Sequence, residues 1–170
     1  MFKKALLGLL LALPLVSFAA VPRPLLDMAI PAPAGKISLK QYRGKVMAVA
    51  IFSTTCGDCV KVIEILNRAQ KDYGSKGFQA VAGSGDENAQ YLIGPFKQRY
   101  NITYPIGYLT KDEMIKLGDI PKDKRPVAPI VLFVDRKGTV KFQYYGDDNF
   151  LKGGNEQGIR ALIQHLLDEK

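Results

Sequence analysis

Val46-Met47-Ala48-Val49-Ala50-Ile51-Phe52-Ser53-Thr54-Thr55-Cys56-Gly57-Asp58-Cys59 holds two patterns on one stretch. Its first seven residues form an unbroken apolar run rich in β-formers, the pattern of a strand buried on both faces. After the cysteines, Val60, Ile63, Ile65, Leu66 and Ala69 recur at roughly helical spacing, until Gly74 and Gly77 end the helix. A dithiol therefore stands where a buried strand hands over to a helix. Cys56 lies near the helix N-terminus, where amide dipoles favour thiolate over thiol, and Cys59 lies one turn on, within reach of a disulfide that opens and closes locally. Such a small ring restricts the unfolded chain little, by about 2 kcal/mol on loop-entropy grounds. A passive staple explains the pair poorly, and redox chemistry explains it well. In that chemistry Cys56, the more exposed thiol, is the nucleophile and Cys59 resolves the mixed disulfide.

Downstream, Phe78 to Ala82 reads as a second buried strand. Asn88 to Tyr100 reads as a helix that Gly94-Pro95 threatens to kink or break. Thr110 and Glu113 form a capping box for a short helix ending near Gly118. Ile130 to Val134 and Thr139 to Tyr145 read as a hairpin joined by Asp135-Arg136-Lys137-Gly138, and Glu156 to Leu167 as a closing amphipathic helix. Upstream, Gly35 to Leu39 reads as a short turn and strand, while Pro22, Pro24, Pro31 and Pro33 make residues 20–34 an extended, irregular segment. The alternation predicts one α/β domain over residues 35–170, with no internal repeat.

The 170 residues are 47% apolar and 24% charged, with two Cys and one His. Two cysteines are too few for a small disulfide scaffold or an all-cysteine zinc site. One histidine, His165, excludes a three-histidine metal site. Lys3 and Lys4, the apolar run Ala5 to Phe18 and the small residues of Ser17-Phe18-Ala19 resemble a secretory signal, predicting cleavage after Ala19. The alternative is a retained membrane anchor, although the run is short of the ~20 apolar residues a span needs. Cleavage removes two lysines from a +8 chain and leaves 151 of 170 residues, in a periplasmic or otherwise exported, disulfide-permissive compartment. The remaining basic residues are spread along the chain without a nucleic-acid motif, so solvated surface accounts for them better than nucleic-acid binding.

Three segments in order resemble the thioredoxin-like periplasmic thiol–disulfide oxidoreductases, of the TlpA-like or redoxin type. They are Gly35-Lys36-Ile37-Ser38-Leu39 with Tyr42-Arg43-Gly44-Lys45-Val46, then Cys56-Gly57-Asp58-Cys59, then Val127-Ala128-Pro129 running through Asp135-Arg136-Lys137-Gly138. The resemblance implies a thioredoxin-like fold with a central mixed sheet flanked by helices. It also implies a redox-active Cys56–Cys59 disulfide, no cofactor, protein dithiol or disulfide substrates, an upstream thiol electron donor and a monomer. It makes Pro129 a cis-proline packed against the disulfide, with Ala128 offering backbone to an incoming substrate strand.

The departures from the family fall at the site. Thr55 replaces the tryptophan common before the first cysteine, and Asp58 the proline common before the second. Ala50 and Val62 stand where members carry buried or helical acids. Thr55, Gly57 and Asp58 are thus candidate tuning residues, and proton handling falls to Asp58, water or the substrate. Asp58 either opposes thiolate formation at Cys56, which leans the pair towards reductase, or is a solvated first-turn acid. Two other functions compete. A peroxiredoxin-like peroxidase expects Pro seven residues before the cysteine, where Val49 stands. A copper-binding chaperone would use two thiolates. The mixed charges between Gly107 and Arg125 read as solvated surface rather than a partner contact.

Overall fold

A computed structural model describes residues 21–121 and 123–169, so the predicted signal segment lies outside the described residues. The chain runs β1 (Arg23–Pro24), β2 (Ala29–Ala32), β3 (Gly35–Ser38), β4 (Val46–Phe52), α1 (Gly57–Tyr73), β5 (Phe78–Ser84) and α2 (Ala89–Arg99). It continues through β6 (Ile106–Tyr108), α3 (Lys111–Gly118), β7 (Ile130–Val134), β8 (Thr139–Tyr144) and α4 (Glu156–Asp168). Every residue of β4, β5 and β7 is buried, as the continuous apolar runs require. These three strands are central in a sheet of order β1-β8-β7-β4-β5-β6. β4 pairs parallel to β5 and antiparallel to β7, which makes the sheet mixed.

The period-2 alternation of β4 divides the core into two layers. Val46, Ala48, Ala50 and Phe52 face the layer filled by Val62, Ile63 and Leu66 of α1 and Ile159, Ile163 and Leu166 of α4. Met47, Val49 and Ile51 face the other layer, with Leu117 of α3 and Ile30 and Ile37 of the β2–β3 hairpin. This thioredoxin-like arrangement puts the C-terminal ends of β4 and β5, and hence the start of α1, at one edge of the molecule.

Three local expectations differ from the structure. Residues 20–34 are not wholly irregular: β1 pairs with β8, and β2 pairs with β3 across the boundary drawn at residue 35. β6, unread in the sequence, adds parallel to β5. α2 runs through Pro95 as one helix; Pro95 has no N–H to offer the Tyr91 carbonyl, and Tyr91 lies on the exposed side of the helix, 74% exposed.

Candidate active site

Cys56 is the N-cap of α1, with extended backbone at φ −88° and ψ 115°. Its amide donates to the Ser53 carbonyl at 3.3 Å. Its Sγ accepts the Cys59 amide at 3.2 Å, a bond sulfur accepts best when it carries negative charge. Both cysteines are free thiols; Cys56 is half-buried and Cys59 fully buried. Burial pushes the Cys59 thiol far above its ordinary value, the hydrogen bond with Cys56 and the charge of Asp86 add to the rise, and a Ser53 backbone bond opposes it. The pair is thus asymmetric: one sulfur accessible at a helix start, the other dry and protonated beneath it.

Facing the first sulfur, Ala128 offers its carbonyl to Cys56 Sγ at 3.9 Å. The Ala128–Pro129 peptide bond is cis, and Pro129 is buried. The Gly146 amide donates to the Val127 carbonyl at 2.8 Å, holding this loop. A Cβ at Gly146 would strike the Ala128 carbonyl, so glycine is required there for close approach.

The sequence reading missed Asp86. β4 and β5 run parallel with Phe52 opposite Ser84, so the residues two beyond each strand end meet. Asp86 Oδ2 accepts the Thr54 amide at 2.7 Å, the Thr54 hydroxyl at 2.7 Å and the Ser84 hydroxyl at 2.9 Å. Burial pushes this carboxyl up, but bonds from Ser53, Thr54 and Ser84 together outweigh it and hold it below its ordinary 3.8. Asp86 therefore stays ionised, ties the loop before Cys56 to the end of β5, and puts a negative charge in the field of Cys59.

The other tuning candidates sit apart from the sulfurs' own bonds. Asp58 pairs with Lys61 at 2.9 Å on the outer face of α1, both side chains about half exposed. Its charge is therefore compensated and solvated, which is the second of the two readings weighed for it. The Thr55 hydroxyl lies 3.1 Å from that of Ser53. A Cβ at Gly57 would meet nothing within 4 Å, so packing does not demand glycine there. Ala50 and Val62, where related chains carry acids, are fully buried in the apolar layer under α1. His165 lies 3.4 Å from Glu169 and is 61% exposed, far from a ligand role.

Near the dithiol, reaching Ser53 and Ala128, lies a cavity of about 770 Å3, bounded by α3, Ile120, Pro121, residues 123–126 and the ends of β4 and β7. Lys111, Asp123, Lys124 and Arg125 line it, so part of the charged stretch read as solvated surface is exposed and also borders a recess.

A profile of the AhpC/TSA family matches residues 22–143. The chain is similar to the thiol-disulfide oxidoreductase ResA of Bacillus thuringiensis subsp. konkukian, 27% identical over 113 residues, which is 66% of this chain and 61% of that protein. It thus spans about three-fifths of the length of the curated relatives it matches. Among solved structures, a putative thiol:disulfide interchange protein DsbE from Chlorobium tepidum superposes with a TM-score of 0.68 at 25% identity, covering 84% of this chain and 96% of that one. A thioredoxin family protein from Chlorobium tepidum TLS gives 0.73 at 20% identity, covering 87% and 98%, and supports the fold.

Proposed function

Since the chain belongs to the AhpC/TSA family, we propose that it is an exported thiol–disulfide oxidoreductase that reduces disulfides in protein substrates. The observation that carries the reading is the asymmetric dithiol, an accessible Cys56 at the N-cap of α1 over a buried Cys59. The ResA and DsbE similarities support the same chemistry. The Cys56 thiolate attacks one sulfur of a substrate disulfide; that S–S bond breaks, a new one forms to Cys56, and the first substrate sulfur leaves as thiolate. Cys59 then loses its proton and attacks Cys56 Sγ, which releases the second substrate sulfur and closes Cys56–Cys59. Two electrons pass to the substrate, its sulfurs take up two protons, and a dithiol donor upstream restores the pair.

The lean towards reductase no longer needs Asp58, whose charge is compensated by Lys61. It rests on Asp86 and on the burial of Cys59, both of which keep the Cys59 thiol protonated, so that no second thiolate stabilises the reduced form. A less stabilised reduced form gives up its electrons more readily. Equilibration with glutathione should therefore place the couple nearer the about −270 mV of a reductant than the about −120 mV of a strong oxidant, and the opposite outcome refutes the direction.

Substrate trapping tests the chemistry. Cys59→Ala should accumulate mixed disulfides with exported proteins through Cys56, and Cys56→Ala should accumulate none. Peroxide consumption without any protein disulfide substrate would instead favour the peroxidase reading, and tight stoichiometric copper binding the chaperone. Export itself predicts that the protein recovered from outside the cytoplasm begins at Ala20, which an intact mass checks.

A further inference from the structure

Ser53 and Ala128 each belong to two sets of contacts. They bond Cys56, through the Ser53 carbonyl at 3.3 Å and the Ala128 carbonyl at 3.9 Å, and they also line the 770 Å3 cavity. The recess therefore adjoins Ala128, whose carbonyl faces Cys56 Sγ. Its volume falls in the range that encloses a ligand of several side chains. Met114, Ile115, Ile120 and Ile130 give it an apolar floor, and Val127, beside Ala128 in the chain, is 41% exposed. Among its described charged walls Lys111, Lys124 and Arg125 stand against Asp123, an excess of two positive charges. Lys124 also lies over the Tyr145 ring at 3.9 Å, which fixes its position on the wall.

We propose that this cavity receives the stretch of the substrate protein beside its reactive cysteine and selects one carrying an apolar side chain next to a carboxylate. The proposal rests on the oxidoreductase reading. The floor supplies non-directional affinity for any apolar side chain that leaves water. Choice between substrates then falls to the rim: Lys111 and Arg125 are exposed and attract an acidic segment, while a basic segment meets like charge. Because those charges reach into solvent, the preference acts mostly on the rate of encounter and is screened by salt.

Two disulfide-linked peptides of equal length test this, one with Leu-Glu beside the cysteine and one with Leu-Lys. Exchange is followed with the reduced full chain, and every rate is divided by the same variant's rate with bis(2-hydroxyethyl) disulfide, which is small and uncharged. The acidic peptide should react about tenfold faster at low salt, and the ratio should collapse towards one at high salt. K111E/R125E should remove or invert the preference. K71E/K152E, which changes net charge equally on exposed residues outside the cavity, should keep it. Equal rates for the two peptides, or a preference that survives K111E/R125E, overturn the proposal. So does self-association that shields the cavity from both peptides. Failure of the small disulfide itself to react refutes the oxidoreductase reading instead, so the two failures are distinct.

Discussion

Asp86 lies thirty residues after Cys56 in the chain and shares a hydrogen-bonded loop with it in space. Its charge raises the Cys59 thiol, so Asp86→Asn should move the ultraviolet thiolate titration of Cys59, read in a Cys56→Ala background, to lower pH. A purely structural role would leave that titration where it is. Asp86→Ala should in addition cost about 1.5–3 kcal/mol, the usual worth of hydrogen bonds to a charged group, measured by denaturant unfolding. Because the folded carboxyl lies below its ordinary 3.8, that stabilisation is present above this pH and is lost as the pH falls through the lower folded value. Nothing local marks Asp86, since a Ser-Gly-Asp after a strand reads as turn chemistry. The signal lies in the register of β4 on β5, which places Thr54 beside it. The placement of Cys56 and Cys59, by contrast, was legible because the strand end and the helix start that hold them lie within one short stretch. Asp58 lies between the cysteines in the chain yet turns to Lys61, a partner set by helical spacing, and the pair faces water.

Helices α1 and α4 cover one face of the sheet, and ion pairs tie their outer surfaces together. Arg68 of α1 meets Glu156 at the start of α4 at 2.8 Å, and Arg160 pairs with Asp72. The hydrogen bond from Arg68 holds the Glu156 carboxyl below its ordinary 4.5, in spite of the opposing effect of burial. Its contribution is therefore present above that pH and fades as the pH falls further. Half-exposed pairs of this kind are worth little, so Glu156→Gln should cost about 0.5–1 kcal/mol at low salt and less at high salt, a difference that urea titrations resolve. Gly146 is the opposite case, a position with no room. Gly146→Ala should destabilise by about 1–3 kcal/mol and slow exchange more than global stability explains, because the added methyl displaces the Ala128 carbonyl that faces Cys56. Elements with strong local signals were legible: the buried run of β4, and the Thr110–Glu113 box of α3, whose reciprocal bonds the structure contains. β6 was not, since three residues after Pro105 show no period, and its pairing and packing come from β5 and the β2–β3 hairpin. α2 survives Pro95 because its buried face, Ala89, Ile93 and Phe96, packs on the core regardless of one lost bond.

Across the whole molecule, the layer order was legible from the alternation of runs and helices, and the placement of the leading residues was not. β1 and β2 are held by partners more than a hundred and less than ten residues away, respectively, and only the first needs the finished sheet. Charge behaves similarly. The net +8 says nothing about where the basic residues gather, and the fold brings Lys111, Lys124 and Arg125 to one recess. If that gathering matters to function, the rate of exchange with folded acidic substrates should fall as salt rises, while the unfolding midpoint moves little by comparison; parallel kinetics and thermal melts check this. The sheet's two margins have a further consequence. One is closed by the two residues of β1, which include Pro24, and the other by the three residues of β6, backed by the β2–β3 hairpin. Each reaches only part of the strand it borders: among the described residues β1 spans Thr139 and Val140 of β8, and β6 spans Ala82 to Ser84 of β5, so β8 keeps an edge from Lys141 to Tyr144 that β1 does not cover. On the function proposed above, a client protein meets the chain at the Ala128–Pro129 turn that faces Cys56, and the charge of Lys141 on the uncovered length of β8 discourages it from adding there as a further strand.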